Sequence, residues 1–199
     1  MALTKRKATG ERRLEIVQAA RDILISEGFH KLTLRNIANK VGIKLSSLQY
    51  HFKNKAALVG ALFEQASEYY KSKARNLLKI ESGVDLRLQI DQGVRSALND
   101  HKSKEENQFF NQMIAMAIEE PAAQELIDDF YQRLWTIGSD LLLEFNPSLD
   151  KEERLNRSAQ MLSLVEGSGF LIGSPRLFSK LPDSYYDHIV NSVIKLMLE

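Results

Sequence analysis

The chain has 199 residues, 44% hydrophobic and 27% charged, with a net charge of +1 and no cysteine. That length can bury one core, or a small domain joined to a larger one, and the lack of cysteine excludes a disulfide scaffold. No apolar run approaches the roughly 20 residues that cross a bilayer. The basic start Lys5-Arg6-Lys7 leads into Glu11, Arg12 and Arg13, so a soluble, cytoplasmic protein with no membrane partner is expected. The small net charge hides an asymmetry. Residues 1–55 hold 12 Lys or Arg against 4 Asp or Glu, a net of +8, and the rest hold 15 against 22, a net of −7. A basic end on an acidic body confines attraction for nucleic acid to that end.

Residues 1–9 carry no apolar period and are expected to form a disordered basic arm. From Gly10 to about Ser26, Leu14, Ile16, Val17, Ala20, Ile23 and Leu24 follow a helical period, and Gly28 terminates it. Residues 33–55 then read as two short helices joined by a tight turn. Thr33 is placed to cap the first, and Leu34, Ile37, Ala38 and Val41 share one face. Gly42 stands where the chain must turn sharply, with positive φ expected. The second helix, Lys44 to Phe52, turns Ile43, Leu48 and Phe52 inward and Lys44, Ser46, Ser47, Gln49, Tyr50 and His51 outward. That outer face has hydroxyls, a phenol, a carboxamide and amines, with no negative charge, and suits phosphate oxygens or base edges. A merely solvated polar face is the rival reading.

Residues 10–60 resemble the N-terminal domain of the TetR (tetracycline-repressor) family of transcriptional regulators. The likeness rests on the amphipathic first helix, Gly28-Phe29, Thr33, Ile37-Ala38, Val41-Gly42-Ile43, Leu48, His51-Phe52, Lys55 and Leu58. The resemblance implies that the second helix enters the major groove of double-stranded operator DNA. It further implies that Thr33 and Lys55 hold phosphates and that Tyr50 and His51 lie at the DNA surface. Two positions depart from the pattern. The family's usual aromatic after Leu48 is here Gln49, with Tyr50 one place later. Lys44 stands where a small hydroxyl residue is more common. Gln49 can pair with adenine through two hydrogen bonds, and Lys44 can reach guanine or a phosphate.

A long helix follows from Lys55 or Ala56 to about Ile80, with Leu58, Leu62, Phe63, Ala66, Tyr69, Tyr70, Ala74, Leu77 and Leu78 as its stripe, and Glu81-Ser82-Gly83 breaks it. Val84 to about Asn99 is helical, with Leu86, Ile90, Val94, Ala97 and Leu98 on one face. Asp100 to Lys104 is a polar turn. Glu105–Glu119 and Pro121–Phe145 form two further helices, the second opened by a proline whose missing N–H costs nothing there. These two carry Phe109, Phe110, Met113, Met116, Phe130, Tyr131 and Trp135, soft and aromatic residues that suit a pocket for a small apolar or amphipathic effector, or simply fill a core.

Of the last two helical segments, the first places Leu155, Ala159, Leu162, Val165, Gly169 and Ile172 on one face, and the second Ile189, Val190, Val193, Ile194 and Met197. A loop, Gly173 to Pro182, separates them. Gly167, Ser168 and Gly169 leave room for a close helix partner. The resemblance implies that these two helices pair with their symmetry mates, with Leu162, Val165, Gly169, Ile189, Val193 and Met197 at a homodimer interface; internal packing against residues 84–145 is the alternative.

The reading is therefore an all-α chain: a basic arm (1–9), a three-helix helix-turn-helix DNA-binding domain (10–54) and a larger helical ligand-binding and dimerisation domain (55–199). The function expected is a repressor released from a pseudo-palindromic operator by a small molecule. The alternative is an architectural or non-specific DNA-binding dimer without ligand control. No enzyme is expected. Gly167-Ser168-Gly169 lacks the strand and spacing of a dinucleotide loop, and His30, His51, His101 and His188 lack metal-ligand spacing. Neither a catalytic residue nor a cofactor or metal is assigned.

Overall fold

The computed structural model describes residues 2–78 and 85–199, with side chains over 10–73 and 85–199, and every regular element among them is helical. Helix α1 spans Ala2–Glu27. Its start corrects the expected disordered arm: residues 2–9 are mostly Ala, Leu, Lys and Arg, which favour helix, and the single Gly10 costs only about 1 kcal/mol. Ile16, Val17, Ala20, Ile23 and Leu24 are buried as their spacing predicts, whereas Leu14 is 63% exposed. Gly28, at φ 86°, stops the helix, and a 3-10 turn, Phe29–Lys31, leads on. After it come α2 (Leu34–Val41), α3 (Leu45–His51) and α4 (Lys55–Leu78).

The remaining elements are α5 (Leu86–Asp100), α6 (Lys104–Glu119), α7 (Pro121–Phe145), α8 (Lys151–Ile172), α9 (Pro175–Phe178) and α10 (Tyr185–Leu198). The expected break at Glu81-Ser82-Gly83, the start at Val84 and the side chains of Ala74, Leu77 and Leu78 lie outside the described residues. Asp85 caps α5, its carboxylate accepting from the Arg87 N–H at 2.9 Å. Asp150 caps α8 in the same way through Glu153 N–H, at 2.8 Å. The segment expected as a loop between the last two helices holds the single turn α9, because Pro175 occupies its first position with φ already helical.

Packing gathers the chain into two units, Met1–Ala66 with Gln108–Asp128, and Ser67–Asn107 with Asp129–Glu199. The first unit thus takes in the start of α4, most of α6 and the start of α7, which the sequence reading assigned to the body. In it Leu58, Val59, Leu62 and Phe63 of α4 and Phe109, Met113, Met116 and Ala117 of α6 are all buried. Gln112 of α6 accepts the Phe29 N–H at 3.0 Å, and the Arg21 guanidinium lies 3.8 Å from the centre of the Phe109 ring. A helix-turn-helix of some 50 residues has little interior of its own, so borrowed helix surface supplies apolar burial at about 25 cal/mol per Å².

The second unit is built around Ile90, Val94 and Leu98 of α5, Leu141 and Leu142 of α7, Ile172 of α8, and Val190, Val193, Ile194 and Met197 of α10. Charged pairs tie its helices at the rim. Arg95 of α5 binds Asp91 at 2.8 Å and Asp187 of α10 at 2.6 Å, and Lys73 of α4 binds Asp100 at the end of α5. Arg157 of α8 donates to the Leu196 carbonyl of α10 at 3.1 Å.

Candidate nucleic-acid interface and body cavity

In the helix-turn-helix, the Thr33 hydroxyl accepts the Asn36 N–H at 3.2 Å, with its backbone extended (φ −122°, ψ 148°), so the cap forms as expected. The hydroxyl still has a proton to donate, which leaves it able to bind a phosphate oxygen as well. Gly42 adopts φ 73°, the left-handed conformation that stops α2. The Ile43 N–H then reaches back to the Ala38 carbonyl at 2.9 Å, fixing the turn. Ile37, Ala38, Leu48 and Phe52 are buried, and the Arg13 guanidinium stacks over the Phe52 ring at 4.7 Å. Burial on one side of α3 leaves its other side in solvent.

That outer side carries what the spacing predicts. Lys44, Ser46, Ser47, Gln49 and Tyr50 are exposed and His51 is half-buried. Tyr50 is 80% exposed and meets His51 edge to face at 5.3 Å. A large aromatic projecting this far into water gains nothing from folding, as a residue placed to touch another molecule would. Lys44 is the N-cap of α3 and makes no side-chain cap bond. Replacing a capping hydroxyl costs about 1 kcal/mol, and a cation near a helix N-terminus adds to that, so this residue is tolerated at the expense of local stability.

Lys55 has a partner that sequence spacing does not disclose. Its ammonium lies 2.6 Å from the Glu120 carboxylate in the same unit, both side chains about one-third exposed (34% and 37%). Glu120 immediately precedes Pro121, 65 residues along the chain, and no local pattern links the two.

The second unit holds a cavity of about 180 Å³ between α4, α5, α7, α8 and α10. Its wall is almost wholly apolar, from side chains such as Ile90, Val94, Leu134, Ile137, Leu162 and Val165. Four polar residues interrupt it: Tyr70, Gln89, Ser158 and Glu166. Ser158 Oγ donates to the Trp135 carbonyl at 2.7 Å, and the Tyr131 hydroxyl donates to Glu166 Oε2 at 3.3 Å. Burial holds the Glu166 carboxyl above the usual carboxylate range, with the Tyr131 bond pulling the other way. The Tyr70 phenol is pushed up by burial first, and then by the negative charges of Glu166, Asp100 and Glu106.

The residues expected to bind an effector do not line this cavity. Phe109, Met113 and Met116 are buried in the first unit, and Phe110 is half-buried beside Phe109, the two rings edge to face at 5.5 Å. In the second unit Phe130 is buried against the Tyr70 ring at 5.8 Å, Tyr131 reaches Glu166, and Trp135 is 39% exposed with its indole N–H on the Leu155 carbonyl at 2.7 Å. The cavity is lined instead by branched aliphatics with Tyr70, Phe145, Met161 and Met197, drawn from five helices, so no one stretch of sequence carries its signal. Sequence did place Ile90, Val94 and Ala97 on one face of α5, and that face is one of the cavity walls.

The expected dimer residues also look inward. Val193 and Met197 are 2% and 4% exposed in their own unit's core. Gly169 is buried under His101, where a Cβ would stand 2.7 Å from the imidazole. Leu162 and Val165 are half-buried at the cavity, and Ile189 packs on the same core. The exposed face of α8 is a different one, Asn156, Gln160, Ser163, Gly167 and Phe170, in steps of four and three residues. Phe170 is 71% exposed, and a Cβ at Gly167 would meet nothing within 4 Å.

Residues 16–62 match the family profile described as "Bacterial regulatory proteins, tetR family". The nucleoid occlusion factor SlmA of Vibrio campbellii is 28% identical over 165 residues, covering 79% of this chain and 81% of that protein. The HTH-type transcriptional regulator TtgR of Pseudomonas putida is 36% identical over 72 residues, 36% of this chain and 34% of the other. Among solved structures, a TetR-family regulator from Rhodococcus sp. superposes with a TM-score of 0.71 at 20% identity, over 94% of this chain and 99% of that one. Residues 16–62 thus form a capped helix-turn-helix of the tetR family of bacterial regulatory proteins, and with the helical body that follows the chain has the fold of a solved TetR-type regulator.

Proposed function

We propose that the protein is a homodimeric repressor that binds a pseudo-palindromic operator through Lys44, Ser46, Ser47, Gln49, Tyr50 and His51, and is released by a small apolar or amphipathic effector held in the body. The observation that carries the DNA half is the exposed, anion-free outer face of α3 on a basic end of an otherwise acidic chain. Thr33 and Lys55 act as phosphate contacts, and Gln49 reads a base. Two such modules in a dimer meet successive major grooves roughly 34–36 Å apart. Dimerisation is assigned to the exposed face of α8, where Gly167 lets a partner helix come close and Phe170 anchors it. Phe170→Glu then gives a monomer in sedimentation, and an unchanged dimer overturns that face.

Effector control rests on the apolar cavity and on Tyr70, which brings α4 into its wall while the same helix begins at Lys55. A ligand that favours one conformation of the body shifts α4 and the spacing of the recognition helices, and it acts only through its differential affinity for the two states. The decisive experiment is selection of bound sequences from a random duplex pool at about 0.15 M salt, where counterion competition weakens non-specific binding. Enrichment of an inverted repeat is expected, and retention without enrichment sinks sequence-specific repression. A second reading, a DNA-binding dimer without an effector, is favoured by the alignment that continues for 165 residues into a nucleoid occlusion factor. Operator binding unmoved by any cavity ligand would select it.

A further inference from the structure

Three of the four polar residues of the body cavity share one property, and it narrows the class of ligand. Gln89 Oε1 is buried and accepts no hydrogen bond. Ser158 spends its proton on the Trp135 carbonyl, so only its lone pairs remain for anything in the cavity. Glu166 takes one bond from Tyr131, and among the described residues no cationic side chain acts on its carboxyl. Three of the four polar residues therefore offer acceptors, in a wall otherwise apolar. Buried acceptors without donors cost free energy, and an acid buried without a counter-ion costs more. The complement to such a wall is a hydrophobic body with a donor-only, positively charged head.

On the reading of this cavity as the effector site, we infer that the effector is an apolar monocation, a lipophilic amine whose ammonium pairs with Glu166 and donates to Gln89 Oε1. An ammonium is three donors and no acceptor, so it leaves none of its own groups unsatisfied against this wall. A neutral alcohol supplies one donor and no charge, and a carboxylate meets acceptors and a like charge. Charge-assisted hydrogen bonds are about twice as strong as neutral ones, so charge is what separates otherwise isosteric ligands.

The test uses the protein with phenethylamine, phenethyl alcohol and hydrocinnamate as probes, with Kd measured by calorimetry at about pH 8, where the free amine is protonated. Phenethylamine is expected to bind at least about tenfold more tightly than phenethyl alcohol, with hydrocinnamate weakest. Glu166→Gln keeps the shape and an acceptor, and it is expected to abolish the preference for amine over alcohol. Equal affinity of amine and alcohol, or a preference that survives Glu166→Gln, overturns the cationic assignment even though the cavity binds ligands. Ala97→Phe fills the cavity and is expected to remove binding of all three probes, with folding checked by circular dichroism and operator binding. Binding unaffected by Ala97→Phe, or no binding of any probe, overturns both this inference and the effector site on which it rests.

Discussion

The DNA-reading end and the body are both helical, yet they present function in opposite ways. At α2 and α3 the functional side chains are what remains once the buried face is subtracted: Leu48 and Phe52 go in, and Gln49 and Tyr50 must come out. In the body the candidate site is a gap between five helices, lined by the inward faces themselves. A surface site follows from one helix's period, whereas a cavity exists only where several inward faces fail to fill the space between them.

The difference can be pressed hardest at Leu48, fully buried under α3. Leu48→Ala is expected to cost about 2–5 kcal/mol in thermal or urea unfolding and to abolish operator binding, because the recognition helix loses its anchor. A stable variant with normal DNA affinity would mean that α3 is not held by this contact. Next in size, Gln49→Ala is expected to cost about 1–3 kcal/mol on a matched operator and to relax preference at one base pair. Weakening of all sequences alike would make Gln49 a phosphate contact. Gly42→Ala is expected to cost about 1 kcal/mol in melting experiments through backbone strain alone, since a Cβ there would meet nothing within 4 Å.

Two smaller effects sharpen the comparison from the electrostatic side. Glu166→Gln is expected to stabilise the protein by up to about 1 kcal/mol above the raised carboxyl pKa and by nothing below the unfolded one. The sign follows from linkage: the folded chain holds this proton to higher pH than the unfolded chain does, so stability falls as pH rises through that window and stays lower above it. Melting scans of wild type and variant across pH should therefore diverge toward high pH, and parallel curves would mean that burial does not tax this acid. Finally, Glu120→Gln releases Lys55 from its 2.6 Å ion pair and is expected to raise operator affinity by a few-fold, most at low salt. Unchanged affinity would mean that Lys55 does not serve DNA.

Sequence alone determined the helical class, the cap at Thr33, the left-handed turn at Gly42, the start of α7 at Pro121 and the exposed face of α3. Each of these depends on residues within one or two turns of each other, where capping, φ preference and the 3.6-residue period act directly. Tertiary structure decided the rest. Phe109, Met113 and Met116 became core of the first unit, Val193 and Met197 turned into the core of the second, Lys55 found Glu120 across 65 residues, and Glu166 came to face an apolar cavity. An amphipathic helix announces that it has a buried face, but which neighbour covers that face, and whether a gap is left, depends on surfaces far apart in the chain and on how their volumes fit.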